Sequence, residues 1–216
     1  MNLPSLDLQA LYAHFAWGMV LAACGVGLLA WRRPLPARLA TAWLVLAFVA
    51  CALPGSVSPS YWLGLAFQLP SGLMVACCAM TVWMNARGVD GYRVLPLGLA
   101  TGLALSGLLL YADSAGWLYL GLYARGFGPE AALAGLLAGA AALFAIAAGK
   151  QRGAGFAVLL SLTLFALLRL PTGNVWDALL DPWLWLWAVF SLLARASSCW
   201  RARTASPAAP ASSSVS

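Results

Sequence analysis

Charge is what this sequence has least of. Aspartate, glutamate, lysine and arginine together make up 8% of its 216 residues, against about a quarter in a soluble domain. So few charges cannot cover a water-facing surface, which excludes an ordinary soluble globule. Other absences narrow the chemistry. The chain has one histidine and one lysine. Its five cysteines, Cys24, Cys51, Cys77, Cys78 and Cys199, have no spacing that suggests a disulfide framework or a zinc site. There is no P-loop, GxSxG elbow, HExxH helix, CxxCH haem site or dinucleotide fingerprint. The net charge of +6 invites a nucleic-acid partner, but phosphate-binding basic residues are clustered. Here they lie in small groups between apolar runs. No nucleic acid, metal or cofactor is therefore expected.

What the sequence has is apolar length, with 63% hydrophobic residues arranged in long runs. The runs are Leu8 to Trp31, about Leu39 to Leu53, Tyr61 to about Met84, about Val94 to Ala112, about Ala131 to Ala148, Gly153 to Leu170, and Trp183 to about Ala194. A spanning helix needs about 20 apolar residues, and most of the runs approach that. The first is too long for the apolar region of a signal peptide and has no basic flank before it, so it is expected to span. The expected fold is all-α: one polytopic helical membrane bundle of about seven spans over residues 1–203, with residues 204–216, rich in Pro, Ser and Ala, as a disordered cytoplasmic tail.

The basic residues orient the bundle. Arg32, Arg33, Arg38, Arg87, Arg93, Lys150, Arg152, Arg195, Arg201 and Arg203 fall on one side of a seven-span chain, and only Arg125 and Arg169 on the other. The positive-inside rule makes the first side cytoplasmic, the amino terminus outside and the carboxyl terminus inside. Five of the six acids (Asp7, Asp113, Glu130, Asp177 and Asp181) then lie outside, with Asp90 inside. One lysine against eleven arginines, with abundant Ala, Gly and Leu, points to a high-GC bacterial source and hence to an inner (plasma) membrane.

Unusual residues gather at the expected outer face. Arg169 closes the sixth run in "LLRLPTGNVWDALLDPWLWLW". An arginine at a membrane boundary must reach headgroups or meet a carboxylate, and Asp113 is the first expected partner, with Asp177 next. Pro70 interrupts the third run. Either it breaks a spanning helix beside Gln68, lining a site, or a short interfacial helix held by Tyr61 and Trp62 precedes a separate span from Ser71; the second geometry is preferred. His14, two turns into the first run, is a relay or ligand candidate, or simply bonded to a neighbouring helix. Met74, Cys77, Cys78, Met80 and Met84 resemble a soft-metal row but suit a core equally, and the core is preferred. Gly98/Gly102 and Gly135/Gly139 have GxxxG spacing, suited to close helix packing within the bundle, in a homodimer or against a membrane-protein partner.

These features point to a transporter-like or ligand-binding protein with a polar outer site made by His14, Tyr61, Gln68, Asp113, Arg169 and Asp177. A non-catalytic accessory subunit of a larger membrane complex is the alternative. An intramembrane enzyme using His14, Asp113 and Arg169 comes third, because candidate nucleophiles are scarce and no catalytic residue stands out.

Overall fold

In the computed structural model the described residues are 3–30, 35–89, 94–149 and 151–204. Each of the seven apolar runs contributes one main helix: α1 (Leu6–Leu29), α2 (Ala37–Cys51), α4 (Gly72–Ala86), α5 (Leu97–Ser114), α7 (Glu130–Ala147), α8 (Arg152–Leu168) and α10 (Pro182–Thr204). Three short helices join them at one end: α3 (Pro59–Phe67), α6 (Leu122–Arg125) and α9 (Val175–Leu179). All regular structure among the described residues is helical. By length and composition, α1, α5 and α7 can each cross a membrane. The apolar helices α2, α4 and α8 are shorter, 15 to 17 residues. These features support membrane association.

The helix ends follow from local chemistry. Ser5, Ser58, Ser71 and Asn174 cap α1, α3, α4 and α9 by accepting a first-turn N–H. The helices α4 and α5 both stop in a Schellman arrangement. At Gly88 and Gly116 φ is +67° and +78°, a conformation glycine takes without strain. The following N–H groups of Val89 and Trp117 return to the Met84 and Ala112 carbonyls.

The third apolar run is two helices. Gln68, at φ 61°, ends α3, and Pro70 sits just ahead of the Ser71 cap, where its missing N–H costs nothing. The seventh run extends well past its expected end near Ala194, because the Arg, Ala and Ser residues that follow are compatible with helix and carry α10 to Thr204. Trp31, Arg32, Arg33, Asp90, Arg93, Lys150 and the expected disordered tail beyond Thr204 lie outside the described residues, as does the Arg203 side chain.

The helices α2, α1, α4, α8 and α7 pack in a row, each against the next, while α5 and α10 form a separate pair. The pair joins the row through a shared core containing Leu73, Cys77, Cys78, Leu180, Leu184 and Ala188. Met74 belongs to the same core. We call the end bearing α3, α6 and α9 the polar end and the other the basic end. Half of α1 is buried but only 11% of α7. The flanks of α5 and α7 expose Leu105, Leu108, Leu136 and Phe144, far more apolar surface than a water-soluble monomer carries.

Close helix contact falls on glycines other than the GxxxG pairs. A Cβ on Gly25 would lie 1.6 Å from Trp43 Nε1, and one on Gly107 2.2 Å from Trp185 Cδ1, whereas Gly102 faces open space. Gly135 and Gly139 meet only the ends of Leu162, at 3.8 and 3.6 Å. The two tryptophans explain the difference. Trp43 donates to the Leu21 carbonyl and Trp185 to the Ala104 carbonyl, which holds each ring flat against the neighbouring helix beside its glycine. Gly25→Ala and Gly107→Ala should each destabilise the detergent-solubilised protein by about 1–3 kcal/mol through overpacking. Gly102→Ala should be neutral or stabilise by up to about 1 kcal/mol. Thermal unfolding of the three variants measures the contrast.

Candidate functional site

The polar end was expected to hold the site. There several polar side chains are instead spent on backbone groups. Asp113, the penultimate residue of α5, bends the chain after it: its carboxylate accepts the N–H groups of Leu120, Gly121 and Leu122. Asp181 precedes α10 and caps it through Leu184 N–H at 2.8 Å, and its other oxygen accepts Ser71 N–H at 2.8 Å. One buried carboxylate thus closes the starts of α10 and α4. His14 Nδ1 lies 2.6 Å from the Cys51 carbonyl oxygen and 2.7 Å from Ser60 Oγ. The Ser58 and Ser60 hydroxyls donate to the same carbonyl. This knot satisfies the last carbonyl of α2, an orphan of helix geometry, which is a structural use of the histidine.

Asn174, fully buried, donates from Nδ2 to the Tyr123 carbonyl and accepts from Trp176 N–H. Trp176 Nε1 donates to the Leu122 carbonyl. These bonds fold the α8–α10 connection inward against α6, with Asn174 and Trp176 lying where a Cβ on Gly126 would be. Asp177 accepts from the Tyr123 and Thr172 hydroxyls. Burial raises its pKa above the ordinary carboxylate value; the two hydroxyls act against that rise, and the neighbouring Asp181 adds to it. Burial, with the Asp177 carboxylate beside it, pushes the Tyr123 hydroxyl up to about 12.

The Arg169–Asp113 pair expected from the sequence is not formed, and among the described residues Arg169 has no carboxylate partner. Its exposed guanidinium folds back over the Phe165 ring, 5.1 Å from the centroid. Two facts account for this. Arg169 is the C-cap of α8, where the helix dipole favours a cation, and Asp113 is already saturated by three N–H groups. Tyr61 is exposed and stacks edge-on against Trp62. The exposed Gln68 offers only its backbone carbonyl, to Trp17 Nε1. Among the described residues, no hydrogen bond or ion pair links any of these six predicted side chains to another, so they share one end of the bundle without being bonded into one cluster. Trp62 and Trp117 stand exposed, whereas Trp176 is turned inward.

A cavity lies elsewhere, between two of the long helices. Because α5 packs on α10 and α7 packs on α8, α5 and α7 stand apart, and the space between them, about 600 Å³, opens sideways. One wall is Gly98, Gly102 and Ser106 of α5, the other Ala134, Ala138 and Ala141 of α7, with Val158 of α8 behind. Trp176 and Glu130 stand at the polar-end mouth, and at the other the Gln151 amide lies 3.4 Å from where a Cβ on Gly98 would be. The lining is almost wholly apolar, the usual character of a ligand pocket of about 300–1,000 Å³.

Asp181 and Arg169 give opposite expectations. Asp181→Ala uncaps the start of α10 and leaves the buried Ser71 N–H without its acceptor, and should cost about 2–4 kcal/mol. Arg169→Ala removes only an exposed cation–π contact and should cost about 1 kcal/mol or less. Chemical denaturation in detergent compares them, and a large loss from Arg169→Ala would restore the buried-pair explanation.

No protein-family model matches the chain, nor does any curated protein or solved structure, so the geometry above carries the functional conclusion.

Proposed function

We propose that this protein is a seven-span inner-membrane protein, amino terminus outside and carboxyl terminus cytoplasmic, that binds an elongated apolar molecule between α5 and α7. The observation that carries this is the sideways-opening gap of about 600 Å³ with its apolar lining. From Glu130 to Ala145 the wall of α7 runs about 22 Å. An acyl chain or comparable hydrocarbon suits a long apolar groove, and an opening toward the bilayer suits capture from lipid rather than from water. The expected transporter or ligand-binding class is retained, with its site moved from the polar end to this gap.

The small residues on both walls favour a second occupant, a helix from another copy or from a larger complex. One substitution separates the two. A Cβ on Gly102 would meet nothing within 4 Å, so Gly102→Trp directs an indole into the gap. If a small apolar molecule binds there, mass spectrometry of extracts from the purified variant should show it lost, with folding and oligomeric state unchanged. If a helix docks there, the variant should instead lose self-association or a co-purifying subunit. An unchanged variant on every count removes both.

The orientation is tested separately. A reporter active only outside should work when fused near Gly128 and fail when fused after Arg203. The reverse pattern overturns the orientation, and equal activity at both ends of the chain indicates an even number of spans.

A further inference from the structure

A second cavity, of about 410 Å³, opens toward the basic end. It lies between Thr81 of α4, Val94 and Leu95 ahead of α5, and Trp187, Ser191 and Arg195 of α10. Unlike the gap between α5 and α7, its lining is mixed polar and apolar. Trp187, Ser191 and Arg195 are four residues apart, so they form one stripe along α10.

Arg195 is half-buried, and one terminal nitrogen donates to the Leu95 carbonyl. A guanidinium carries five N–H donors, so most remain for a ligand. Among the described residues no carboxylate pairs with it. A partly buried cation within a membrane helix is costly unless an anion or water meets it. Arg169, by contrast, is fully exposed and lies over an aromatic ring. Ser191 makes no hydrogen bond among the described residues, so its hydroxyl is free to donate one turn from the guanidinium. Thr81, on the facing helix, is already bonded to the Cys77 carbonyl.

We propose that this cavity binds a phosphate group, held by the planar fork of Arg195 and by the Ser191 hydroxyl. The guanidinium fork matches two phosphate oxygens at once. The group can belong to a phospholipid headgroup, whose glycerol region would lie along Val94, Leu95 and Trp187, or to a free phosphate. The site is separate from the gap between α5 and α7 and does not depend on what that gap holds.

The test uses the full chain in a neutral detergent. Thermal unfolding is followed with inorganic phosphate against chloride at matched ionic strength, and in micelles doped with phosphatidylglycerol. Native mass spectrometry measures retained lipid. Protection by phosphate identifies a free anion, and protection by phosphatidylglycerol alone a headgroup. In the arm that protects, Arg195→Gln should weaken binding about tenfold or more, as for a lost charge-assisted bond, and Ser191→Ala about threefold or more. Arg195→Gln also removes the bond to Leu95, so Ser191→Ala serves as the variant that leaves the described contacts intact. No protection in either arm, or wild-type affinity in either variant, overturns the proposal.

Discussion

Asp181 accepts one backbone N–H from the start of α4 and one from the start of α10, and the polar end depends on that shared carboxylate. Every helix begins with N–H groups that have no partner of their own. Where water is scarce, each must be met by a side chain or a carbonyl, since an unmet buried group costs free energy comparable to a lost hydrogen bond. Asp113 does the same for the chain around α6 and Asn174 for α9, while the Ser58, Ser60 and His14 group meets the unpartnered carbonyl at the end of α2. Polar residues are few in this sequence, and the buried ones at the polar end, Asp113, Asp181, Asn174, Ser58 and Ser60, are committed in this way. A carboxylate already accepting two or three N–H groups has little capacity left for a ligand.

The same scarcity shapes the rest of the bundle. Two tryptophan rings held by helix carbonyls take up the close contacts at Gly25 and Gly107. The helix α7 touches the bundle chiefly through α8, where a Cβ on Gly155 would lie 2.8 Å from the Ala142 carbonyl. With α7 held on one side only and α5 held by α10, small residues face each other across a space that neither helix fills. The gap therefore results from how the helices pair, and its apolar lining results from the composition.

Much of the fold was legible in the sequence. Run length and hydrophobicity placed a helix in each of the seven runs, and the preferred reading of Pro70, with a short helix ahead of a separate one from Ser71, matches the split of the third run. Asp181 also left a signal, since an Asp-Pro pair at a helix start reads as a cap followed by a tolerated proline. The candidate site was less legible. Asn174 bonds a carbonyl 51 residues away, and no local pattern announces such a partner. Nor could the neighbours of α5 and α7 be read from periodicity. In a soluble helix an apolar stripe marks the buried face, but in lipid every face is apolar and the stripe vanishes. The GxxxG pairs marked where helices could approach closely, not where they do.

The arginines show how position, not residue type, sets the partner. Arg87 and Arg169 are the C-caps of α4 and α8, and each folds back over an aromatic ring four residues earlier, Trp83 and Phe165. A helix C-terminus supplies the negative end of the dipole, the ring face adds to it, and water solvates the rest, so neither cation needs a carboxylate. Arg195 lies inside α10, well before its end at Thr204, and gains nothing from a C-terminal dipole. It is also half-buried, so water cannot fully replace a partner. A cation held by one carbonyl and facing a mixed cavity has no counter-charge among the described residues, and this separates the arginine proposed to recognise a phosphate from the two that only finish a helix.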